Sequence, residues 1–582
     1  MSQQNKKIII YQVLVRLFGN KNQSSKPFGT IHENGCGKFN DISDIALESL
    51  KTLSITHIWY TGVIAHATTA DYSRFGIPRD HAEIVKGRAG SPYAIKDYFD
   101  VDPDLADNVL CRMQEFQNLV DRTHQTGLKV IIDFVPNHVS REYCGNARPE
   151  GVKDLGVEDI STLAFHPQNN FYYLPGQHFV VPKDGIPHEM EPLPEELWEP
   201  YIEFPAKVTG NDCFSAQPTN NDWYETIKLN YGVEYPDNDK THFNPPPATW
   251  ERMREILLFW ANKGVDGFRC DMAGMVPVEF WNWVIPVVKR SYPALLFIAE
   301  IYEPNNYHRF LDQGQFDYLY DKVGLYDILR HVVEGKLPAS DISLSWQNLD
   351  GLDDRMLRFL ENHDEQRIAS KHIASNPCKA IPAMVAVASM NSGPVMLYFG
   401  QEVGEPADGV SGYSGDDGRT TVFDYFVVPE LQKWINKGAF DGGLLKSWQH
   451  NLRNFYIRLF NLCQEHDPFY RGDFYDLMWV NRESLDEKHL YAYLRYTENE
   501  CLLVVLNFGD KPQKSARVHI PQHAFDLLQQ FPEASLNINR MTMLDANEIL
   551  WKLDEISFTV AQAIDEGVPV SLKPHSAVIF SF

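Results

Sequence analysis

Long apolar runs are scarce in this 582-residue sequence, and none is long enough to cross a bilayer. The apolar start, Ile8-Ile9-Ile10 behind Lys6 and Lys7, is interrupted at Gln12 and Arg16, and no small-residue cleavage site follows. A buried strand is expected there, not a secretory leader. The other run, Ile381 to Met390, stops at Asn391-Ser392-Gly393-Pro394. The chain is therefore expected to be cytoplasmic and unanchored. Cysteine is also sparse: eight residues scattered singly, with no CxxC pair and no Cys/His spacing for zinc, so reduced, mostly buried thiols are expected. Basic charge is in deficit, with 53 Lys+Arg against 78 Asp+Glu and a net charge of −25. That balance excludes a nucleic-acid backbone or an anionic membrane surface as partner, since both demand clustered cations. No fixed-period repeat or low-complexity tract occurs, and Gly35-Cys36-Gly37 lacks the third glycine of a nucleotide loop.

What is present is an ordinary globular composition, 44% apolar and 13% aromatic, with 12 Trp and 27 Tyr whose flat faces suit cores and sugars alike. Eight short apolar runs read as strands: Ile8–Leu17, His57–Val63, Lys129–Val135, Val265–Asp271, Leu296–Glu300, Phe316–Tyr320, Arg358–Glu361 and Val395–Phe399. Amphipathic segments separate several of them. Val109 to Gly127 places Met113, Phe116, Leu119 and Val120 on one stripe. Eight βα units predict an α/β protein built on a closed parallel (β/α)8 TIM barrel. The stretch from Asn137 to Gly264 is far too long for a βα loop, and its prolines and aromatics predict an inserted subdomain after the third strand. Past about residue 470, short β-type runs predict a C-terminal all-β sandwich: Leu490–Tyr496, Cys501–Phe508, Ala516–Ile520 and Val570–Phe582. The expected division is barrel over 1–138 and 246–470, insert over 139–245, and sandwich over 471–582.

In a parallel barrel, chemistry gathers at the carboxyl ends of the strands. Four ends here carry charge: Asp133-Phe134-Val135-Pro136-Asn137-His138, Gly267-Phe268-Arg269-Cys270-Asp271, Phe297-Ile298-Ala299-Glu300 and Phe359-Leu360-Glu361-Asn362-His363-Asp364. Three carboxylates, Asp271, Glu300 and Asp364, would converge on one mouth with Arg269, His138 and His363. Period-2 alternation puts Arg269 and Asp271 on one side of their strand and turns Cys270 toward the helices. Arg269 is expected to hold Asp271 ionised, while crowding by the other acids pushes Glu300 to a higher pKa. One ionised and one protonated carboxyl is the pair a retaining glycosidase uses.

These four segments, in order and at compatible spacing, resemble the four short motifs of the α-amylase family of glycoside hydrolases. Ile8–Phe18 and Ile55–Val63 resemble its first two strands. Ser91-Pro92-Tyr93-Ala94-Ile95-Lys96-Asp97-Tyr98 is similar to the segment before its third strand, Lys228-Leu229-Asn230-Tyr231 to a motif late in the insert, and Gly393–Glu402 to its eighth strand. The resemblance spans nearly the whole chain. It implies that Asp271 is the nucleophile, Glu300 the acid and then base, and Asp364 the group that distorts the sugar ring. It further implies that Arg269 orients Asp271, that His138 and His363 bind hydroxyls, that Tyr93 stacks on the sugar, and that Asp133 braces the third strand end. The partner implied is an oligo- or polysaccharide, cleaved at α-1,4-linked glucose units by double displacement. A transglycosylase or isomerase on the same scaffold is the alternative, and a catalytically silent carbohydrate-binding protein a weaker one.

Glu361 and Arg367 are read either as a supporting ion pair or as a sugar contact, and Trp223, Tyr224 and Trp250 as packing within the insert. Gly415-Asp416-Asp417-Gly418-Arg419 reads as a loop near the site, not a metal site. Many α-amylases carry a Lys-His pair where this chain has Gly274 and Met275, which weakens the case for an enzyme of long starch chains. No cofactor is required. Asn137 matches one family ligand for Ca2+, so bound calcium is allowed but not implied.

Overall fold

The computed structural model describes residues 6–182, 199–409, 415–528, 535–537, 540–545 and 557–582. Strands β1 (Ile9–Leu14), β2 (His57–Thr61), β3 (Lys129–Phe134), β4 (Gly267–Cys270), β5 (Leu296–Ala299), β6 (Tyr318–Tyr320), β7 (Met356–Leu357) and β8 (Val395–Tyr398) run parallel, each paired with its chain neighbour from β1 to β7, and β1 also pairs with β8. The ring closes between β7 and β8, where Arg358 bridges Val395 and the Met396 N–H donates to the Arg358 carbonyl at 2.9 Å. The expected (β/α)8 barrel is the architecture found.

Alternation along the strands sorts side chains into two cores. Ile10, Trp59, Ile131, Ile298, Tyr320, Leu357 and Met396, drawn from seven different strands, fill the barrel's interior as one cluster. Strand residues of the opposite parity, among them Tyr11, Ile132, Phe268, Cys270, Phe297 and Leu397, lie in the larger core between barrel and helices. Arg269 thereby enters the interior while Cys270 turns to the helices, as alternation requires. The amphipathic stretch after Asn108 forms a helix over Arg112–Gln125, preceded by a 3-10 turn at Val109–Cys111, and it buries Phe116, Leu119 and Val120. Its start is tied down by Glu115, whose carboxylate accepts the backbone N–H groups of Asp107 and Asn108, each at 2.8 Å.

Several strand ends depart from expectation: β2 stops at Thr61, short of Val63, and β4 begins at Gly267, past Val265. β1 stops at Leu14, and Val15–Phe18 coils into one helical turn. β6 starts at Tyr318, not Phe316. β7 spans only Met356–Leu357, so the expected run Arg358–Glu361 lies past it: Arg358, in a buried ion pair with Asp321 (2.8 Å), adds a single bridge to Val395, and the chain then bends through Phe359–Asp364. Those bent residues carry the seventh strand's charged end into the mouth.

Within the insert, His138–Ser140 pairs antiparallel with Thr226–Lys228, setting His138 opposite Lys228. The C-terminal part holds a five-stranded antiparallel sheet of β9 (Asp473–Asp476), β10 (Leu490–Tyr496), β11 (Cys501–Asn507), β12 (Arg540–Leu544) and β13 (Ser576–Ser581), in the order β9-β10-β11-β13-β12, with smaller two-stranded sheets beside it. The expected strand Val570–Phe582 is two strands, Val568–Leu572 and β13. The apolar run after Ala380 is a helix, Ile381–Ser389, in which every residue is buried. The eight cysteines form no disulfide, but only Cys270, Cys463 and Cys501 are buried, and Cys111 is exposed. No described helix is long and apolar enough to cross a membrane.

Candidate active site

Asp271 is the first residue past β4, and Glu300 the first past β5; the ladder continues beyond both strand ends through Asp271 N–H to Phe134 O (2.9 Å) and Glu300 N–H to Cys270 O (3.2 Å). Both side chains meet Arg269 from within the barrel. Arg269 Nη1 donates to Asp271 Oδ1 at 2.6 Å, and Nη2 lies 2.8 Å from Glu300 Oε2. Nη1 also stands 3.4 Å from Asp133 Oδ1, and Nε donates to the Tyr320 hydroxyl at 3.1 Å. The guanidinium is boxed by the rings of Trp59, Tyr93 and Tyr320, each 5.4 Å from their centroids. Asp133, expected only to brace its strand, accepts from Trp59 Nε1 (3.0 Å) and the Tyr93 hydroxyl (3.4 Å).

One cation therefore serves three buried carboxylates. The sequence predicts that Arg269 keeps Asp271 ionised and that the upward push falls on Glu300. Burial raises Asp271 well above the usual carboxylate range, Arg269 pulls it back, and the charge of Glu300 raises it further. Arg269 is shared. Glu300 takes a guanidinium nitrogen of its own, and the Met272 N–H donates to its Oε2 at 2.8 Å. Met272 sits at φ 43°, ψ 40°, a left-handed conformation that costs a residue with a Cβ about 1–2 kcal/mol and that accompanies the turning of this N–H onto Glu300.

The remaining predicted residues join the same network. His363 accepts from Gln12 Nε2 at Nδ1 (2.8 Å), leaving Nε2 to the Tyr93 hydroxyl (2.6 Å) and to Asp364 Oδ2 (3.0 Å). Tyr93 stacks on His363 at 5.2 Å between centroids. Asp364 is the most open of the acids, its side chain 34% exposed toward the mouth. His138 is buried and its pKa falls to about 3, through burial and then the charge of Lys228, so its ring is neutral. Trp223, expected as packing within the insert, lies 5.2 Å from the His138 ring, whereas Trp250 does pack inside, against Tyr231 and Phe280. Glu361 and Arg367 form a buried ion pair at 2.9 Å, with Arg367 also donating to Phe399 O.

Calcium would need six or more oxygens around Asn137. The Asn137 side-chain oxygen instead accepts the Lys228 ammonium at 3.0 Å, and its amide nitrogen donates to Gly210 O at 2.7 Å. Lys228 is also ion-paired with Asp212 and lies 5.6 Å from the centroid of the Tyr235 ring. Among the described residues no group of three His, Cys, Asp or Glu side chains is arranged to hold a metal. This arrangement fits an ammonium, not a calcium ion.

Sequence reasoning missed Gln12, Trp59, Tyr320 and Tyr302. The first two sit on strands read only as apolar runs, where alternation marks them as interior but not as polar contacts of the site. Tyr302, two positions beyond Glu300, donates its hydroxyl to Glu300 Oε1, and no motif pointed to it. Gly274, at the place of the missing Lys-His pair, lies against Glu303, whose Oε2 would be 3.2 Å from a Cβ built there.

Acids at three strand ends of a closed parallel barrel, gathered around one buried arginine and flanked by aromatic rings and two histidines, mark the carboxyl end of the barrel as the site of an enzyme. A family model described as "Alpha amylase, catalytic domain" matches residues 12–307. The chain is 23% identical over 519 residues to Neopullulanase 2 of Thermoactinomyces vulgaris, covering 86% of this chain and 69% of that one. It is 20% identical over 520 residues to a cyclomaltodextrinase of Thermoanaerobacter pseudethanolicus, covering 87% and 71%. The solved maltogenic alpha-amylase AmyB of Thermotoga neapolitana shares the fold at a TM-score of 0.59 and 19% identity, over 99% of this chain and 98% of that one. The chain belongs to the alpha-amylase family. It is a glycoside hydrolase acting on O-glycosyl bonds.

Proposed function

We propose that this enzyme is a retaining α-glucoside hydrolase of α-1,4-linked glucans or maltooligosaccharides, working through a glycosyl ester on Asp271. The observation that carries the reading is the shared grip of Arg269 on Asp271 and Glu300. The two terminal nitrogens of a guanidinium lie side by side, so acids held by both sit close together. Closeness of about 5–5.5 Å belongs to retaining enzymes, and about 6.5–9.5 Å to inverting ones, which must leave room for water.

In this reading, an Asp271 oxygen attacks the anomeric carbon while that carbon's bond to the leaving oxygen breaks and Glu300 gives that oxygen its proton. Glu300 then takes a proton from water, the water oxygen bonds to the anomeric carbon, and the ester electrons return to Asp271. Arg269 stabilises Asp271 both as it departs from the ester and before attack. Asp364, with His363 and His138, binds hydroxyls of the distorted ring, and Tyr93 offers its face to the sugar. Maltooligosaccharide substrates are favoured by the names of the relatives and by the lack of the Lys-His pair. We further propose that Lys228 replaces calcium in joining insert to barrel.

The test is the product itself. Digestion of maltotriose followed by NMR should first release the α-anomer, with fragments no longer than the input. Initial β-product would overturn retention, and products longer than the substrate would move the enzyme to transglycosylation.

A further inference from the structure

Glu300 gives its two oxygens to partners of different kinds. Oε2 accepts from the Met272 N–H and Arg269 Nη2, both at 2.8 Å. A backbone N–H and a guanidinium have no lone pair to offer, so a proton on Oε2 would point at two donors. The acid proton must therefore ride on Oε1. That oxygen meets the hydroxyl of Tyr302, half-buried on the segment that follows β5. A phenol hydroxyl is both donor and acceptor and rotates freely between the roles. It can donate to Oε1 when Glu300 is ionised and accept from it when Glu300 is protonated.

We propose that Tyr302 is the positioning residue of proton transfer, holding the Glu300 proton on Oε1 and yielding its place to the leaving oxygen of the substrate. The inference rests on the reading of Glu300 as the general acid. In the first step the proton leaves Oε1 for the glycosidic oxygen, which keeps the electron pair of the breaking bond, and Glu300 becomes a carboxylate that the Tyr302 hydroxyl meets as donor. In the second step Oε1 takes a proton from water and the hydroxyl rotates back to accept. The Tyr302 O–H bond itself is never broken. Among the described residues no other group hydrogen-bonds Oε1, whereas Oε2 is held still by the backbone N–H of Met272, so the rotor stands where the proton must move.

The competing account makes Tyr302 a flat surface for the leaving sugar, with an idle hydroxyl. Tyr302→Phe keeps the ring and removes only the oxygen. The experiment compares wild type, Tyr302→Phe and Glu300→Gln by kcat/KM on a maltooligosaccharide, whose leaving group needs a proton, and on α-maltosyl fluoride, whose fluoride needs almost none. General acid catalysis is worth about 10²–10⁴-fold, so loss of its positioning partner should cost Tyr302→Phe about 10-fold or more on the oligosaccharide. Its rate on the fluoride should stay within about 2-fold of wild type, because no acid step is asked of it there. Equal losses on both substrates, or no loss on either, overturn the proposal. Tyr302→Leu, checked for an unchanged melting temperature, repeats the comparison if the phenylalanine variant does not fold. Glu300→Gln separates the two claims. If it too fails to discriminate between the substrates, the acid assignment falls; if it discriminates and Tyr302→Phe does not, only the role of Tyr302 falls.

Discussion

Asp133, Asp271 and Glu300 cannot all be ionised around one guanidinium without leaving uncompensated charge in a buried site. The substrate-free site is poised on that imbalance, and Arg269 sets it. A lysine there would keep the charge but lose the fork, since an ammonium is a point donor that cannot hold two carboxylates in fixed, adjacent positions. Arg269→Lys is expected to lower kcat by about 10²–10³-fold, the range seen when one preorganised electrostatic contact is removed. KM should change little, because Arg269 is 1% exposed and buried beneath the acids. A rise in KM at constant kcat, measured on maltotriose, would mean that Arg269 serves substrate binding instead. Asp271→Asn, isosteric but unable to form the ester, should cost about 10⁴-fold or more; full activity in that variant would remove the nucleophile from the mechanism.

At the level of elements, two lysines hold strands in place, and they respond to different perturbations. Lys228, on the insert strand opposite His138, binds Asn137 and Asp212. Removing one partner of a buried, hydrogen-bonded ion pair costs about 3–5 kcal/mol, less where the other partner is partly exposed, as Asp212 is at 37%. Lys228→Met is thus expected to lower the melting temperature and weaken activity together, while chelator changes neither property of the wild type. A fall in melting temperature with EDTA, reversed by calcium, would refute the ammonium as the joint.

Lys7 anchors the start of β1 by donating to the Asn391 carbonyl ahead of β8, and burial pulls its pKa from 10.5 down to about 7. The native state then binds fewer protons than the unfolded one above pH 7, so this group's penalty shrinks as pH rises through that value. Between pH 7 and 8.5, before thiols and phenols titrate, wild-type stability should climb relative to Lys7→Met by at most about 1.4 kcal/mol per pH unit. Parallel melting curves for the two across that window would show that Lys7 is not buried as a shifted group. These element-scale contacts lay beyond the sequence. Alternation foretold that Arg269 and Asp271 share a face, because that depends on one strand alone. It said nothing of Lys228 reaching Asn137, or of Tyr302 reaching Glu300, because those meetings depend on how a long insert and a post-strand bend return to the mouth. The seventh strand lies before its expected place for the same reason: Phe359-Leu360 is apolar enough to be a strand, but the chain bends away after the single Arg358 bridge to Val395.

Over the whole molecule, the barrel and its terminal sheet were legible as separate units because their apolar periods differ, yet the joint between them was not. That joint is built from an apolar helix and a buried arginine. Ile381–Ser389 is buried on all sides, packed on one flank by the barrel and on another by β11 and β13, and the Ser389 and Tyr493 hydroxyls meet across the boundary at 2.5 Å. Arg495, 1% exposed on β10, donates to the carbonyls of Met390, Pro468 and Gly472 on the barrel side and beyond it. A helix hydrophobic all round has no face to give to water, and each large aliphatic side chain uncovered would forfeit about 1.5–3 kcal/mol. The barrel is therefore not expected to stand alone. A chain ending at residue 470 should be insoluble or bind a hydrophobic dye strongly, although every proposed site residue is retained. Arg495→Met in the full chain should lower the melting temperature while leaving kcat/KM on maltotriose within about 2-fold, since it strands three carbonyls far from the mouth. A soluble, active barrel fragment would instead show that the terminal sheet is an attachment and that the helix closes on the barrel without it.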